Sequence, residues 1–236
     1  MNVEKEIDSQ WRIPDVLWAL IVPLLPPEPA KPKGGRPRID PRQAMDGIFY
    51  HLRTGCQWKA IPRSLVAGST AHDYFQLWQE AGLFYRLWHE TEQVGWPGIS
   101  LVGAEGAEAA WVILQHAIGS STLQRQGVLL LAEAIARGEM APQHLAYLED
   151  RICFFERRPQ RYGTQFDWDE DGQLSSWMLD EPDEVDRRRA EMGFRPLAEH
   201  VEKMRRSLEA SGEKPPADYE QRQAAMLAWA KSVGWL

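Results

Sequence analysis

The chain has few cysteines, no long apolar run and no excess of basic residues. Its 236 residues include only Cys56 and Cys153, which lie far apart, so we expect a reducing compartment and no disulfide framework. The longest apolar stretch, residues 16–25, contains a proline and is too short to span a bilayer. The first ten residues are polar and acidic, which predicts no signal peptide. We therefore expect a cytoplasmic protein that makes no membrane contact.

The sequence also lacks the motifs that mark common catalytic cores. There is no Gly-rich phosphate loop, no Gly-x-Ser-x-Gly elbow and no alternation of strands with helices. His116 and His144 do not have the spacing of metal ligands, and the acidic run 167–171 does not match a calcium loop. We therefore expect no metal site and no cofactor.

The formal net charge of −7 excludes a protein that coats nucleic acid along its whole length. The distribution of charge is more informative. Residues 31–63 hold eight basic and two acidic residues, whereas residues 1–95 balance at eleven of each. The negative charge therefore lies in residues 96–236. A neutral front with a concentrated basic patch and an acidic back indicates two modules.

Helical periodicity dominates the front module. Apolar spacing predicts a helix over residues 13–25, followed by a Pro-, Lys- and Gly-rich extended arm. Asp40 is the expected N-cap of the next helix, and Gly55 is expected to end it. A short helical turn over 57–61 then precedes a Ser/Thr-capped helix over 71–80. This order is the layout of a helix-turn-helix, whose second helix enters the major groove of DNA.

Candidate DNA-binding residues lie in the basic patch and on the outer face of that second helix. Arginine and lysine suit phosphates and the minor groove, whereas polar side chains near the start of the helix would face bases. A solvated loop is the alternative interpretation of the basic arm, and Trp58, Phe75 and Trp78 are expected to be core residues. The candidates are Arg36, Arg38, Arg42, Arg53, Lys59, Arg63, Ser69, Thr70, His72 and Gln76.

Many spaced residues over about 11–90 resemble the N-terminal domain of insertion-sequence transposases of the DDE class. The resemblance implies a DNA-binding domain that precedes an RNase H-like catalytic domain. Such transposases often carry basic residues in the recognition-like helix, whereas this chain has Asp73, Tyr74 and Leu77 there. The residues that carry the resemblance are Gly35-Arg36-Pro37-Arg38, Arg42, Gly47-Ile48, Tyr50, Leu52-Arg53-Thr54-Gly55-Cys56-Gln57-Trp58, Ile61-Pro62, Ser69-Thr70, Phe75, Trp78 and Gly82.

A Gly-Trp-Pro-Gly turn at 95–98 marks the expected module border and gives domains 1–91 and 92–236. The helix that contains residues 107–118 is apolar nearly all round, so we expect it to be the buried centre of the back module. Ser121 and Gln124 predict a capping box for the next helix. Alternation on both sides of an Asp-Gly turn predicts a small β-hairpin. The expected fold is mainly α: a helix-turn-helix domain and a helical domain with this hairpin.

The back module, over about 92–235, resembles an uncharacterised bacterial domain of unknown function. That resemblance supplies a family and no activity. The residues that carry it are Gly95-Trp96-Pro97, Gly106-Ala107-Glu108-Ala109-Ala110-Trp111, Gln115-His116, Leu145-Ala146-Tyr147-Leu148-Glu149-Asp150-Arg151 and Pro159-Gln160-Arg161-Tyr162-Gly163-Thr164-Gln165.

A buried histidine near a carboxylate can act as a general base, which makes His116 the centre of a candidate catalytic group. Its expected partners are Asp150, Arg151, Tyr162 and Gln165. The alternative interpretation is structural: a core histidine, an interhelical salt bridge made by the Asp150-Arg151 pair, and a hairpin packed on helices.

Three functional hypotheses follow from the sequence. The first is a transposase-derived protein that binds double-stranded DNA, joined to a helical domain of unknown activity. A DDE site needs carboxylates on strands around two metals, and here they fall on predicted helices or in a turn, so an active transposase is not expected. The second is an enzyme centred on His116, of unknown small-molecule substrate, with a passenger front domain. The third is a non-catalytic interaction scaffold.

Overall fold

The computed structural model describes residues 11–28 and 38–236 and is mainly α-helical, with one two-stranded antiparallel sheet in the described part of the chain. This confirms the predicted fold class. The chain divides into two compact units, Met1–His116 and Ala117–Leu236, a border later in the chain than the one predicted after residue 91. Among the described residues, no helix is both long and apolar enough to cross a membrane.

The first unit consists of five α-helices and two short 3-10 turns within its described residues. The second helix begins and ends as its sequence predicts, because its signals are local. The Asp40 carboxylate accepts a hydrogen bond from the Arg42 backbone N–H at 2.9 Å, and Gly55 ends the helix in the left-handed conformation. The elements are α1 (Asp15–Ile21), a 3-10 turn (Val22–Leu24), α2 (Pro41–Thr54), a 3-10 turn (Trp58–Ala60), α3 (Gly68–Glu80), α4 (Leu83–Val94) and α5 (Ile99–His116).

The apolar helix α5 packs in the first unit, against α1 and α2. Ala109 and Val112 are buried in one core with Ile13, Ile48 and Phe49. The expectation that this helix is the centre of the back module was therefore wrong. Its all-round apolar character predicts burial, but periodicity does not say which elements bury it.

The second unit pairs α6 with α7 and carries the hairpin and three further helices. The predicted hairpin is confirmed, with Phe166 opposite Ser176 and Trp168 opposite Leu174. Its first strand begins only at Phe166, so residues 162–165 form a loop. The elements are α6 (Ser121–Ala136), α7 (Pro142–Phe155), β1 (Phe166–Trp168), β2 (Leu174–Ser176), a 3-10 turn (Pro182–Glu184), α8 (Val185–Glu191), α9 (Leu197–Ser211) and α10 (Tyr219–Ser232).

The predicted capping box at the start of α6 was wrong. The N-cap residue is Ser120, and it makes no side-chain capping bond. Ser121 lies inside the helix, where its hydroxyl donates to the Gly234 carbonyl at 2.8 Å. The chain's last residues are held by a second bond from the Trp235 indole N–H to the Ile118 carbonyl, at 2.9 Å.

Candidate functional site

The start of α3 is a helix N-terminus that no side chain of the described residues caps. The helix begins at Gly68 after Ala67, which has no side chain that could accept a hydrogen bond. Ser69 and Thr70 are thus the second and third helical residues, and the predicted Ser/Thr cap was wrong. The first N–H groups of a helix have no intrahelical acceptor, and together with the helix dipole they favour an anion at this end.

Gly68 allows the preceding 3-10 turn to pack directly on this helix start. A Cβ at residue 68 would lie 1.9 Å from the Trp58 carbonyl oxygen and 3.3 Å from the Lys59 Cα. Lys59 is therefore beside the first turn of α3. The side chains of Lys59 and Arg63 are exposed, and neither makes an ion pair within the described part of the chain.

An aromatic cluster holds the 3-10 turn against α2 and α3. The His51 ring stacks on Trp58 with centroids 3.9 Å apart, and its Nδ1 lies 2.6 Å from the Cys56 carbonyl oxygen. Trp58 also contacts His72 and Phe75, at centroid distances of 5.1 and 5.6 Å. Trp58 and Phe75 pack against the core, as predicted. His72, expected on the outer face, is half-buried by its contact with Trp58.

The outer face of α3 is polar and carries little positive charge. Ser69, Asp73 and Gln76 are exposed, at positions i, i+4 and i+7 of one helix face. Thr70 is half-buried. The predicted base-reading residues thus lie within the first nine residues of α3: Ser69, Thr70, His72 and Gln76.

Arg42 holds the first two helices together and is not a free surface cation. Its Nη2 donates to the Ile13 carbonyl and, at 2.8 Å, to Asp15 Oδ1, while its Nε lies 3.4 Å from Asp46 Oδ1. Asp46 is buried and also accepts bonds from Arg12 Nη1 at 2.9 Å and from the Ile13 N–H at 3.1 Å. This network assigns Arg42 a structural role in place of the predicted phosphate contact.

The other predicted cations lie elsewhere on the first unit. Arg53 is exposed, with its guanidinium carbon 5.7 Å from the centre of the Trp11 ring. Arg38 Nε lies 4.0 Å from Glu28 Oε2. Arg36 and the rest of the predicted basic arm lie outside the described residues.

In the second unit, Asp150 is fully buried and binds a loop backbone. Its carboxylate accepts bonds from the N–H groups of Arg161 at 2.8 Å, Tyr162 at 3.1 Å and Thr164 at 2.9 Å. Burial raises the pKa of Asp150, while these three bonds act in the opposite direction. The geometry makes Asp150 an anchor for the loop that follows α7, and its carboxylate points at backbone rather than at Arg151.

Gln165 and Gln160 complete this anchored loop. Arg151 Nε donates to Gln165 Oε1 at 3.4 Å, and burial lowers the pKa of Arg151 to about 10. The Gln160 side chain, which the sequence did not single out, is buried and donates to the carbonyls of Gln165 and Trp177 at 3.0 Å each. Asp150, Arg151, Tyr162 and Gln165 therefore lie close together in the second unit.

His116 falls outside the unit that holds the group formed by Asp150, Arg151, Tyr162 and Gln165. It is the last residue of α5 and falls in the first unit, whereas its four expected partners fall in the second. Its side chain is exposed, so the expected burial was wrong: the apolar stripe of α5 ends before the helix does. Nowhere in the described ranges do three or more His, Cys, Asp or Glu side chains gather in a group that could hold a metal.

Two protein-family models match the chain. A family model described as "Family of unknown function (DUF6624)" matches residues 71–214, more than half of the chain. The chain belongs to the DUF6624 family. The DUF6624 segment includes the Asp150 anchor, and it begins within α3. A second model, described as "Putative transposase of IS4/5 family (DUF4096)", matches residues 13–88, so the two matches overlap on most of α3 and the start of α4.

A curated relative supports the second match. The chain is 43% identical over 82 residues to the "Insertion element IS402 uncharacterized 16.2 kDa protein" of Burkholderia cepacia. The alignment covers 33% of this chain and 55% of that protein, so the chain spans about half the length of the relative. No solved structure matches the chain.

The sequence also did not single out Arg189, a buried cation of the DUF6624 segment. It is 1% exposed, and its guanidinium donates to the Tyr162 carbonyl at 2.5 Å and to the Arg195 carbonyl at 2.7 Å. Its Nη2 lies 3.1 Å from His200 Nδ1. Because an arginine only donates, His200 Nδ1 must accept and is unprotonated in this contact. Burial and the Arg189 charge lower the pKa of His200.

This contact predicts a loss of stability in acid. The unfolded chain binds the His200 proton with a pKa of about 6.5, above that of the folded state, so the free energy of unfolding falls as the pH drops below about 6.5. His200→Gln, which keeps an acceptor without titrating, should reduce this dependence, as measured by urea unfolding over the pH range. The control variant His89→Gln alters an exposed histidine, and its stability should depend on pH as that of wild type does. Equal pH dependence in His200→Gln and wild type would contradict the prediction.

Proposed function

We propose that the first unit is a transposase-derived helix-turn-helix domain that binds double-stranded DNA, and that the chain continues into a second, helical unit of unknown activity. The observation that carries this proposal is the uncapped start of α3 beside two exposed cations, Lys59 and Arg63, that form no ion pair with any described residue. It lies inside the segment that matches a transposase family and the insertion-element protein.

These features complement a DNA duplex in two ways. The N–H groups at the start of α3 and the adjacent cations provide donors and positive charge for backbone phosphates. The exposed side chains of Ser69 and Gln76 extend along the helix face that would enter the major groove. Arg38, Arg53 and the predicted arm residue Arg36 are proposed as further phosphate contacts.

We further propose that the segment after the first unit does not perform DDE transposition. Two metals in that chemistry require carboxylates that converge from the strands of a sheet. The strands in the described chain form one hairpin, and its carboxylate, Asp167, accepts bonds from Arg222 and Gln223 at 2.8 and 3.0 Å. Asp150 is bound to backbone N–H groups. Neither carboxylate is placed to share a metal.

The double variant Lys59→Ala/Arg63→Ala should weaken binding to a short random-sequence duplex by about tenfold at low ionic strength. The slope of log K against log salt should fall in magnitude by about two, one for each lost phosphate contact. Fluorescence anisotropy over a salt series measures both quantities. The expected loss follows from removing two cations that pair with no carboxylate in the described part of the chain.

A matched control removes the same charge from the second unit. Lys214 and Lys231 are exposed lysines there, and Lys214→Ala/Lys231→Ala should bind like wild type. The proposal fails if wild type binds no duplex at low salt, or if the two double variants lose affinity equally.

A further inference from the structure

The exposed carboxylate of Asp73 is an unusual feature for a helix that is proposed to contact DNA. It lies one turn after Ser69 and three residues before Gln76, on the same outward face. Within residues 11–28 and 38–236 it makes no ion pair and no side-chain hydrogen bond. A free carboxylate on a face that meets DNA is repelled by phosphates, so it lowers the affinity for every sequence alike.

The cations of this region lie off the helix face, not on it. Lys59 is in the 3-10 turn and Arg63 in the loop before α3, whereas the exposed stripe of α3 presents a hydroxyl, a carboxylate and an amide. Contacts to phosphate position a protein, and contacts to base edges specify a sequence. The two kinds of group are therefore separated in space, with the hydrogen-bonding side chains where bases would be read.

A carboxylate only accepts hydrogen bonds, and this restricts the bases it can contact. In the major groove guanine presents two acceptors and thymine presents an acceptor and a methyl group, so both disfavour it. Adenine presents a donor next to an acceptor, N7, which repels a second acceptor. Cytosine presents the N4 amino group as a donor. Of the four bases, cytosine suits a carboxylate best.

We propose that Asp73 is a specificity-determining residue, whose carboxylate accepts a hydrogen bond from the N4 amino group of a cytosine in the target site. This inference rests on the proposed DNA binding by α3. Gln76 lies three residues after Asp73 on the same face, a rise of about 4.5 Å along the helix axis. This rise is close to the separation of successive base pairs, about 3.4 Å. Asp73 thus lowers the affinity for DNA in general and increases the preference for one base pair.

The test selects binding sites from a library of random duplexes with the full chain. Wild type should enrich sites with a fixed cytosine, and changing this base should weaken wild-type binding about tenfold. Asp73→Asn should lose this preference, with adenine favoured instead because an amide pairs with its N6 and N7. Since Asn carries no charge, the same variant should bind random duplex more tightly than wild type does.

Glu80→Gln is the matched control. Glu80 is exposed on the same face of α3, about 10 Å further from the helix start, so its loss of charge should leave the base preference unchanged. If wild type shows a cytosine preference that Asp73→Asn retains, the assignment of Asp73 is overturned while DNA binding stands. If wild type binds duplex without any base preference, the assignment is also overturned. If it binds no duplex, the proposed function itself fails.

Discussion

Asp150→Ala should lower the free energy of unfolding by about 3–5 kcal/mol. The substitution removes the acceptor of three backbone N–H groups, at residues 161, 162 and 164, in a fully buried site. The N–H groups of Tyr162 and Thr164, whose bonds to Asp150 are buried, would remain away from water without a partner, and this costs more than the net value of the lost bonds. Urea denaturation of the full chain, followed by circular dichroism and tryptophan fluorescence, measures the loss.

Asp169→Ala is the control because it removes a comparable set of bonds at the surface. The Asp169 carboxylate accepts from the N–H groups of Asp171 and Gln173 and from the Ser175 hydroxyl, at 3.1, 2.8 and 2.7 Å. Water can replace an exposed acceptor, so this variant should lose less stability. Asp150→Asn keeps one acceptor oxygen and should fall between the two. Equal losses in Asp150→Ala and Asp169→Ala would show that burial does not govern the role of Asp150.

The sequence predicts those features of the fold that depend on neighbouring residues. Asp40 caps α2 through an N–H two residues away, and Gly55 ends the same helix without needing any distant contact. The hairpin is predicted because its turn and its alternating strands lie together in the chain. Each of these is a local preference that the completed fold leaves in place.

Features that depend on distant partners were not predictable in this way. Tyr74 stands where the transposase resemblance leads us to expect charge, but its hydroxyl donates to the Ile39 carbonyl and its ring packs edge-on against Trp78. Arg42 pairs with Asp15 across the residues that separate α1 from α2. A single sequence shows that these side chains are polar or charged, but it does not show which partner satisfies them.

In the candidate site, too, some contacts follow from the sequence and others do not. The sequence named Asp150 and Tyr162 as candidate partners of His116, and in the structure these two residues contact each other. The direction of the contact was not predictable, because the carboxylate binds the backbone N–H of Tyr162 rather than a side chain. Backbone donors are identical at every residue, so no residue type marks a loop as the partner of a buried acid.

The two family matches share most of α3, the helix on which the proposed DNA contact depends. The transposase match ends at residue 88 and the DUF6624 match begins at residue 71, so neither ends at the border between the compact units at residue 116. Helix α5 lies wholly within the DUF6624 match and yet packs on α1 and α2. The first unit is therefore built from both segments, and its stability should depend on residues from each.

Gly68→Ala should disrupt the first unit more than a glycine substitution ordinarily does. The new Cβ would lie 1.9 Å from the oxygen and 2.7 Å from the carbon of the Trp58 carbonyl, both of them backbone atoms that cannot rotate away. Either α3 or the 3-10 turn must move, and the aromatic packing of Trp58 on His51 and Phe75 is lost with it. We expect a loss of about 3 kcal/mol, measured by urea denaturation.

The variant Gly55→Ala is the control, because it introduces backbone strain without a steric clash. Gly55 has a φ of 66° but nothing within 4 Å of its Cβ position, so alanine there should cost only about 1 kcal/mol. The DNA-binding assay adds a second readout, since moving the turn also displaces Lys59 from the start of α3. Gly68→Ala should therefore bind duplex less tightly than Gly55→Ala, measured without urea at a temperature where both variants are folded. If both variants are equally stable and bind equally well, the close packing of the turn on α3 does not position the proposed phosphate contact.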